Sequence, residues 1–193
     1  MKHQFKKEEV DFGCYFEPEN CVDRRHEFPE SMEIQEILNL EIPVEHKFWF
    51  VFKNCDLTTK EKQILNLNCA KVNLFQYKSE CKKNGWFEKK EVAELIGICE
   101  QYTNGVISLS EFNEKRNANT HAYANDYDYA YAYANTHAYA IAIANDYDYA
   151  NAYAIANAYA YAYANTHAYA NDYDYALLDM LKKFIEKPEI IQI

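Results

Sequence analysis

Two short sequence motifs, called words below, recur in the second half of the chain and contain the side chains best suited to bind a metal or transfer a proton. The word NTHAYA carries His121, His137 and His167. The word NDYDYA carries three carboxylate pairs, Asp126/Asp128, Asp146/Asp148 and Asp172/Asp174. On a β-strand, carboxylates two residues apart face the same side and could together bind a hard cation. The words lack the Gly that calcium-binding repeats use for their turns, so we expect no metal site and interpret them as polar variants of one repeated unit.

The motifs of common enzymes are not present in the sequence. There is no G-x-S-x-G, P-loop or His-Glu-x-x-His stretch. His46 precedes Phe48 and Trp49, and we expect it on a helix surface rather than acting as a base. Trp49 and Trp86 are expected to anchor the core. The sequence therefore predicts a protein that is not an enzyme and uses no cofactor.

Charge and hydropathy narrow the classes of partner. The formal net charge of the 193 residues is −10, which disfavours contact with nucleic-acid phosphates. Tyrosines could stack on bases, but residues 117–176 contain no Lys or Arg. No run approaches the roughly 20 apolar residues of a membrane helix, and no apolar core follows the basic start, as a signal peptide would require. We expect a cytoplasmic protein without a nucleic-acid or membrane partner, and its oligomeric state stays open.

The cysteines do not have the spacing of a metal site. The six are Cys14, Cys21, Cys55, Cys69, Cys81 and Cys99, and no Cys-x-x-Cys pair occurs among them. Because no signal peptide indicates an oxidising compartment, we expect buried, reduced thiols.

Capping boxes and hydrophobic stripes predict a helical bundle in residues 31–116. Thr58-x-x-Glu61 and Ser108-x-x-Glu111 are capping boxes, and Asn84-Gly85 and Asn104-Gly105 are typical helix ends. Apolar residues at helical spacing predict two buried stripes. They are Leu65, Cys69, Val72 and Phe75 in the first helix, and Val92, Leu95, Ile96 and Cys99 in the second.

The first third of the chain is less regular. Residues 1–30 show little periodicity and predict a loosely attached arm. Ser31 is a plausible N-cap for a helix that holds Met32, Ile34, Ile37 and Leu38 near helical spacing, and Pro43 would end it. The apolar run 48–52 fits a buried strand or a short buried helix, and periodicity does not separate the two.

The tract 117–176 alternates Ala with Tyr, Asn, His or Ile in two-residue steps. Strict alternation is typical of a strand with one small and one aromatic face. Against a strand, the tract has no Gly or Pro for turns, and Ala is a poor strand former. Three observations favour a helix. Ala is the best helix former. The helix that starts at the Ser108 capping box leads into the tract, and an amphipathic stretch that ends before Pro188 follows the tract. We expect helix, with β-structure in 117–176 as the alternative.

These observations divide the chain into four parts. We expect an N-terminal arm in 1–30, a helical bundle in 31–116, the alternating low-complexity tract in 117–176, and a C-terminal helix and tail in 177–193. The predicted fold class is mainly α, a small helical bundle continued by a long Ala/Tyr-rich helical tract.

Residues 35–187 resemble a family of bacterial immunity proteins of polymorphic toxin systems. The stretches that carry the resemblance are LNLEIPVEHKFWFVFKNCDLTTKEKQILNLNCAKVNL and EVAELIGICEQYTNGVISLSEFNEKRNAN, followed by an Ala-rich tract. The residues that match the family pattern are Pro43, Trp49, Cys69, Ala70, Gly105, Ser108 and Glu111. Family members usually carry runs of Ala with Trp or Arg at helical intervals, so the two-residue alternation departs from the pattern. The resemblance implies a mainly helical protein that binds and neutralises a cognate toxin.

The sequence thus predicts a binding protein that occludes a basic toxin domain with an acidic, Tyr-rich surface. Tyr offers large contact area at low entropic cost, and carboxylates steer a basic partner. The residues we expect at the contact are Asp126, Asp128, Tyr129, Asp146, Asp148 and Tyr149. The alternative is a structural or self-assembling protein, whose Ala/Tyr strands would stack into sheets.

Overall fold

The computed structural model describes residues 1–10, 29–42, 44–85, 88, 90–121 and 170–192. These residues are mainly helical, with one sheet of two short strands. The strands are β1 (Gln4–Lys6) and β2 (Ser31–Glu33), and a 3-10 turn (Lys7–Glu9) follows β1. The helices are α1 (Ile34–Leu38), α2 (Val44–Asn54), α3 (Thr59–Asn84), α4 (Lys90–Thr103), α5 (Leu109–His121) and α6 (Ala170–Glu186). The expected mainly helical fold class is therefore confirmed for the described part of the chain.

The start of the chain is built into the core, which corrects the expectation of a loose arm for residues 1–10. β1 pairs antiparallel with β2, with Phe5 opposite Met32. The Phe5 ring is 1% exposed and meets the edge of Phe50 at a centroid distance of 5.0 Å. Strand pairing and aromatic burial hold this segment, and both depend on residues far along the chain. Residues 11–28, the rest of the predicted arm, lie outside the described residues.

The first helix begins later than the sequence suggests. Ser31 and Met32 belong to β2, because the ladder with β1 keeps both residues extended. Ser31 is therefore not an N-cap, and Met32 is not in the helix, contrary to the expectation. The N-cap is Glu33, whose backbone N–H donates to the Glu36 carboxylate at 2.7 Å. Pro43 lies outside the described residues, and α2 begins directly after it. The ambiguous run 48–52 is helical, and Phe48, Val51 and Phe52 of α2 are buried.

The predicted starts of α3 and α5 and the predicted ends of α3 and α4 are confirmed. Thr58 and Glu61 form a complete capping box: the Thr58 hydroxyl accepts from the Glu61 N–H at 3.2 Å, and the Glu61 carboxylate accepts from the Thr58 N–H at 2.8 Å. Helix α3 ends at Gly85, whose φ of +69° is the left-handed value that favours glycine. Gly105 ends α4 in the same conformation.

Helix α3 separates two hydrophobic clusters. On one side Leu65, Cys69 and Val72 belong to the first core, which also holds side chains of α1, α2 and α6. On the other side Leu67 and Ala70 join the second core with α4 and α5. Leu65 and Leu67 point about 200° apart on a helical wheel, so α3 buries two opposite faces.

Phe75 was predicted in the buried stripe, and that prediction was wrong. Its side chain is 59% exposed, although Leu65, Cys69 and Val72 are buried as expected. Each three-residue step falls about 60° short of a full turn. Two successive steps, from Cys69 to Val72 and from Val72 to Phe75, therefore carry Phe75 off the core face. In α4, Leu95, Ile96 and Cys99 are buried as predicted, and the side chain of Val92 is outside the description.

The alternating tract is described only at its two ends. Residues 117–121 continue α5, and residues 170–176 open α6, so the described ends are helical. Residues 122–169 lie outside the described residues. The C-terminal part predicted at 177–193 begins inside α6, from which Leu177, Met180, Leu181, Phe184 and Ile185 enter the first core.

Candidate functional site

The predicted contact residues fall in the part of the tract that is not described. Asp126, Asp128, Tyr129, Asp146, Asp148 and Tyr149 all lie within 122–169. His137 and His167 lie there as well. His121 belongs to α5 and Asp172/Asp174 to α6, but their side chains, like those of His46 and Trp49, are outside the description. Trp86 is also not described.

Both helices that border residues 122–169 are packed into the bundle. From α5, Phe112 is fully buried in the second core and stacks on Tyr102 at 4.8 Å. From α6, the stripe that includes Leu177 and Leu181 is buried in the first core. The tract therefore begins in a helix that packs into the second core and ends in a helix that packs into the first core.

A polar clamp holds the tail that follows α6. The Asn68 side chain lies in the middle of α3 and is 0% exposed. Its Nδ2 donates to the backbone carbonyl of Glu189 at 2.9 Å, and its Oδ1 accepts from the backbone N–H of Ile191 at 3.0 Å. A buried side-chain amide needs a hydrogen-bond partner for its nitrogen and for its oxygen. Asn68 finds both partners in the backbone of the tail.

Lys71 extends the clamp by one helical turn. Its Nζ donates to the backbone carbonyl of Ile191 at 2.9 Å and lies 3.2 Å from the Glu100 carboxylate of α4. The Lys71 side chain is largely buried, whereas Glu100 is about one-third exposed. The charge of Lys71 is therefore balanced by Glu100 while its ammonium binds the tail.

The tail connects the two hydrophobic cores. It leaves α6 through a tight turn in which the Glu189 N–H donates to the Lys187 carbonyl at 2.8 Å. Ile190 is partly buried and packs against both clusters. The clamp and Ile190 thus tie α6, which comes out of the tract, to α3 and α4.

A second polar cluster lies at the end of α1. The Lys47 side chain is 6% exposed, and its Nζ donates to the Leu38 carbonyl at 2.9 Å. Lys182 of α6 donates to the Asn39 side chain at 2.6 Å. Burial lowers the pKa of the Lys47 ammonium below its usual range, and the charge of Lys182 lowers that pKa further.

The described thiols are buried, and three of them have a raised pKa. Cys55, Cys69, Cys81 and Cys99 are free and buried, as predicted, whereas Cys14 and Cys21 lie outside the described residues. Burial raises the pKa of Cys55 and of Cys99 to about 12, and it also raises the pKa of Cys69. A thiol with a raised pKa carries little thiolate and is a weak nucleophile.

Sequence reasoning missed the clamp, although one signal was available. Asn66 and Asn68 stand in the middle of a long helix, in the stretch LNLNCAK, between apolar residues that are buried. Asn is unfavourable in helix interiors because its amide competes for backbone groups. An Asn held at such a position indicates a specific partner, but the sequence does not say which one.

Comparison with protein-family models, with curated proteins and with solved structures found no match. Within the described ranges, no cluster of three or more His, Cys, Asp or Glu side chains could hold a metal ion. A search of the same residues found no helix with the length and apolar character needed to cross a membrane. The fold and the clamp define a mainly helical protein with two hydrophobic cores. Side chains of α3 bind the tail that follows α6, and the alternating tract connects α5 to α6.

Proposed function

We propose that the chain is a non-enzymatic binding protein of the immunity class, which neutralises a bacterial toxin by covering its active surface. The observation that carries the proposal is the fixing of the tract at both ends, by Phe112 of α5 and by the Leu177 stripe of α6. A segment held at both ends loses less entropy on binding than a free one. The resemblance of residues 35–187 to immunity proteins supports the same reading.

The chemistry of the tract indicates the kind of toxin surface it would cover. The tract is rich in Asp and Tyr and has no Lys or Arg, in a chain of net charge −10. Asp126, Asp128, Asp146 and Asp148 would steer a basic domain, and Tyr129 and Tyr149 would supply contact area. Occlusion requires no reaction, so no residue of this chain has a catalytic role in the proposal. The cytoplasm is the compartment we assign to this encounter.

Co-expression with the toxin encoded by the neighbouring gene tests the proposal. We expect cells that carry both genes to survive, and the purified proteins to form a complex that weakens as salt is raised. Replacing Asp126, Asp128, Asp146 and Asp148 by Asn should weaken the complex. The matched control replaces four exposed acids outside the tract, Glu88, Glu94, Glu114 and Glu186, by Gln, which changes the net charge equally.

Two results would contradict this function. Continued killing in the presence of the folded protein would exclude neutralisation. Equal weakening by the tract variant and by the control variant would show that net charge acts alone, without a contact at the tract.

The second candidate function is self-assembly, which the strict two-residue alternation of the tract favours. Ala and Tyr on opposite faces of stacked strands would form dry interfaces. A mass that rises with protein concentration, together with cross-β diffraction, would support this function over a binder that stays monomeric.

A further inference from the structure

Two ammonium groups meet at the carboxyl end of α1. The Nζ of Lys47 in α2 donates to the backbone carbonyl of Leu38 at 2.9 Å, and the Nζ of Lys182 in α6 donates to the side-chain oxygen of Asn39 at 2.6 Å. Leu38 and Asn39 are consecutive, so three helices bring the two charges to one place. Burial lowers the pKa of Lys47, and the charge of Lys182 lowers it further, as expected for neighbouring cations.

Neither ammonium group forms an ion pair within the described part of the chain, although Lys47 is only 6% exposed. Two carboxylates that are close in sequence serve other groups. Glu36 caps α1, and Asp179 pairs with Lys183 at 2.7 Å. Buried charges in proteins are normally paired. A buried ammonium beside a second ammonium, with no described carboxylate on either, therefore indicates a site for an anion.

The cluster has more hydrogen-bond donors than acceptors. An ammonium has three N–H donors, and the described contacts use one at Lys47 and one at Lys182. The Asn39 amide accepts from Lys182 through its oxygen, so its NH₂ group is a further donor at the same place. A ligand of this cluster must bring acceptor atoms, which is the chemistry of an oxyanion.

An oxyanion can reach the cluster from solvent. Asn39 is exposed and Lys182 is partly exposed, whereas Lys47 is buried beside them. The carbonyls at a helix end repel anions, but α1 has only five residues, and Lys47 already binds the Leu38 carbonyl. Two ammonium charges match a phosphate group, which carries about −1.5 to −2 near neutral pH, better than they match a single carboxylate.

We propose that Lys47, Lys182 and Asn39 form a binding site for a phosphate group, either free phosphate or the phosphoryl group of a small monoester. The two ammonium groups balance its charge, and the Asn39 amide donates to one of its oxygens. The ligand joins α2 and α6 to the end of α1. The site uses no residue of the alternating tract, and it does not depend on the proposed immunity function.

Isothermal titration calorimetry of the full chain with inorganic phosphate, at constant ionic strength, tests the site. Lys47→Met and Lys182→Met each remove one ammonium group. Lys183→Met is the matched control, because it changes the net charge equally at an exposed position next to Lys182. We expect each site variant to bind phosphate at least about 10-fold more weakly than the wild type, and the control to stay within about 2-fold. Equal affinity of all four proteins would overturn the proposal, and so would a wild-type chain that does not bind phosphate.

Other anions test the charge requirement and the source of the phosphate group. Acetate has similar oxygens but one charge, and it should bind at least about 10-fold more weakly than phosphate. Acetate that binds as tightly as phosphate would overturn the assignment to phosphate. O-phosphoserine that matches phosphate in affinity would assign the site to a monoester, whereas much weaker binding of O-phosphoserine would assign it to free phosphate.

NMR of the unmodified chain locates the anion and keeps the proposal testable if Lys47→Met does not fold. Phosphate should shift the side-chain NH₂ resonances of Asn39. It should also raise the midpoint of the Lys47 titration, because an anion favours the charged ammonium. Asn39 resonances that stay fixed while phosphate binds would place the ion elsewhere and overturn the proposal. A Lys47 amine that is neutral at neutral pH would overturn it as well, since only one charge would then face the anion.

Discussion

The side-chain oxygen of Asn68 accepts a hydrogen bond from the backbone N–H of Ile191 at 3.0 Å, across 123 positions of sequence. This contact closes the bundle, because it joins the middle of α3 to the segment that follows α6.

Asn68→Ala should lower the free energy of unfolding by roughly 2–3 kcal/mol, because it removes two hydrogen bonds and leaves backbone groups of the tail without their partner. Urea unfolding followed by circular dichroism would measure the change. Asn39→Ala is the control, since the exposed Asn39 side chain binds Lys182 at the surface, and its effect should stay within about 0.5 kcal/mol. A loss for Asn68→Ala no larger than that of the control would show that the clamp does not stabilise the fold.

Lys47→Met should change how stability depends on pH. The pKa of Lys47 is lowered in the folded protein, so between that pKa and the usual lysine value the unfolded chain binds more protons than the folded chain. The free energy of unfolding of the wild type, relative to Lys47→Met, should therefore rise with pH as pH approaches the usual lysine range. Chemical denaturation of both proteins across the alkaline range would reveal the trend, and a constant difference would argue against it.

The buried thiols should have the opposite effect at alkaline pH. The pKa of Cys55 and of Cys99 is raised to about 12 from an ordinary value of 9.0. Above the ordinary value, thiols of the unfolded chain lose protons while the folded ones keep theirs, so stability falls as pH rises through that window. In the native protein, iodoacetamide followed by peptide mass spectrometry should leave Cys55, Cys69 and Cys99 unmodified, whereas guanidinium chloride should expose all three. Rapid labelling of the native protein at these sites would contradict their burial.

The capping box at the start of α5 should be sensitive to acid. The pKa of Glu111 is lowered because the backbone N–H and the hydroxyl of Ser108 both donate to its carboxylate. Stability from this contact is present above the ordinary glutamate pKa and is lost as pH falls through the lowered one. Ser108→Ala removes the hydroxyl donor but keeps the backbone N–H, so the Glu111 midpoint, measured by NMR titration, should move only part of the way towards its ordinary value. The substitution should also cost about 1 kcal/mol of cap stability. Ser108→Thr keeps the hydroxyl and should preserve both, and an unchanged midpoint in Ser108→Ala would show that the hydroxyl does not lower the pKa of Glu111.

Thr103→Val should stabilise the protein. Thr103 is buried at the end of α4, and its hydroxyl has no hydrogen-bond partner within the part of the chain that the structure describes. Valine has nearly the same shape without the polar atom, so the gain should be about 1 kcal/mol. Thr103→Ser keeps the hydroxyl, loses a buried methyl group and should destabilise. Thermal unfolding of the three proteins gives the order, and a destabilised Val variant would show that the hydroxyl is satisfied.

Features that depend on neighbouring residues were predictable from sequence. The capping boxes at Thr58 and Ser108 and the glycines at 85 and 105 were placed correctly, because each is completed within a few residues. The buried positions Leu65, Cys69, Val72, Leu95, Ile96 and Cys99 follow from helical spacing alone.

Features that depend on distant residues were missed. The arm prediction failed at Phe5 because its partners, Met32 and Phe50, come from β2 and α2. Ser31 resembles an N-cap, yet pairing with β1 holds it in a strand. Phe75 is a different case, because two successive three-residue steps turn its side chain off the face of α3 that packs into the first core.

The sequence by itself determined where α3 and α5 begin, where α3 and α4 end, which face of α4 is apolar, and the acidic, Tyr-rich character of the tract. Only the tertiary structure decided that α3 is buried on two sides and that Asn68 and Lys71 hold the tail. The physical reason is that caps and periodicity are properties of a few consecutive residues, whereas a buried amide is paired by whichever backbone the folded chain brings to it.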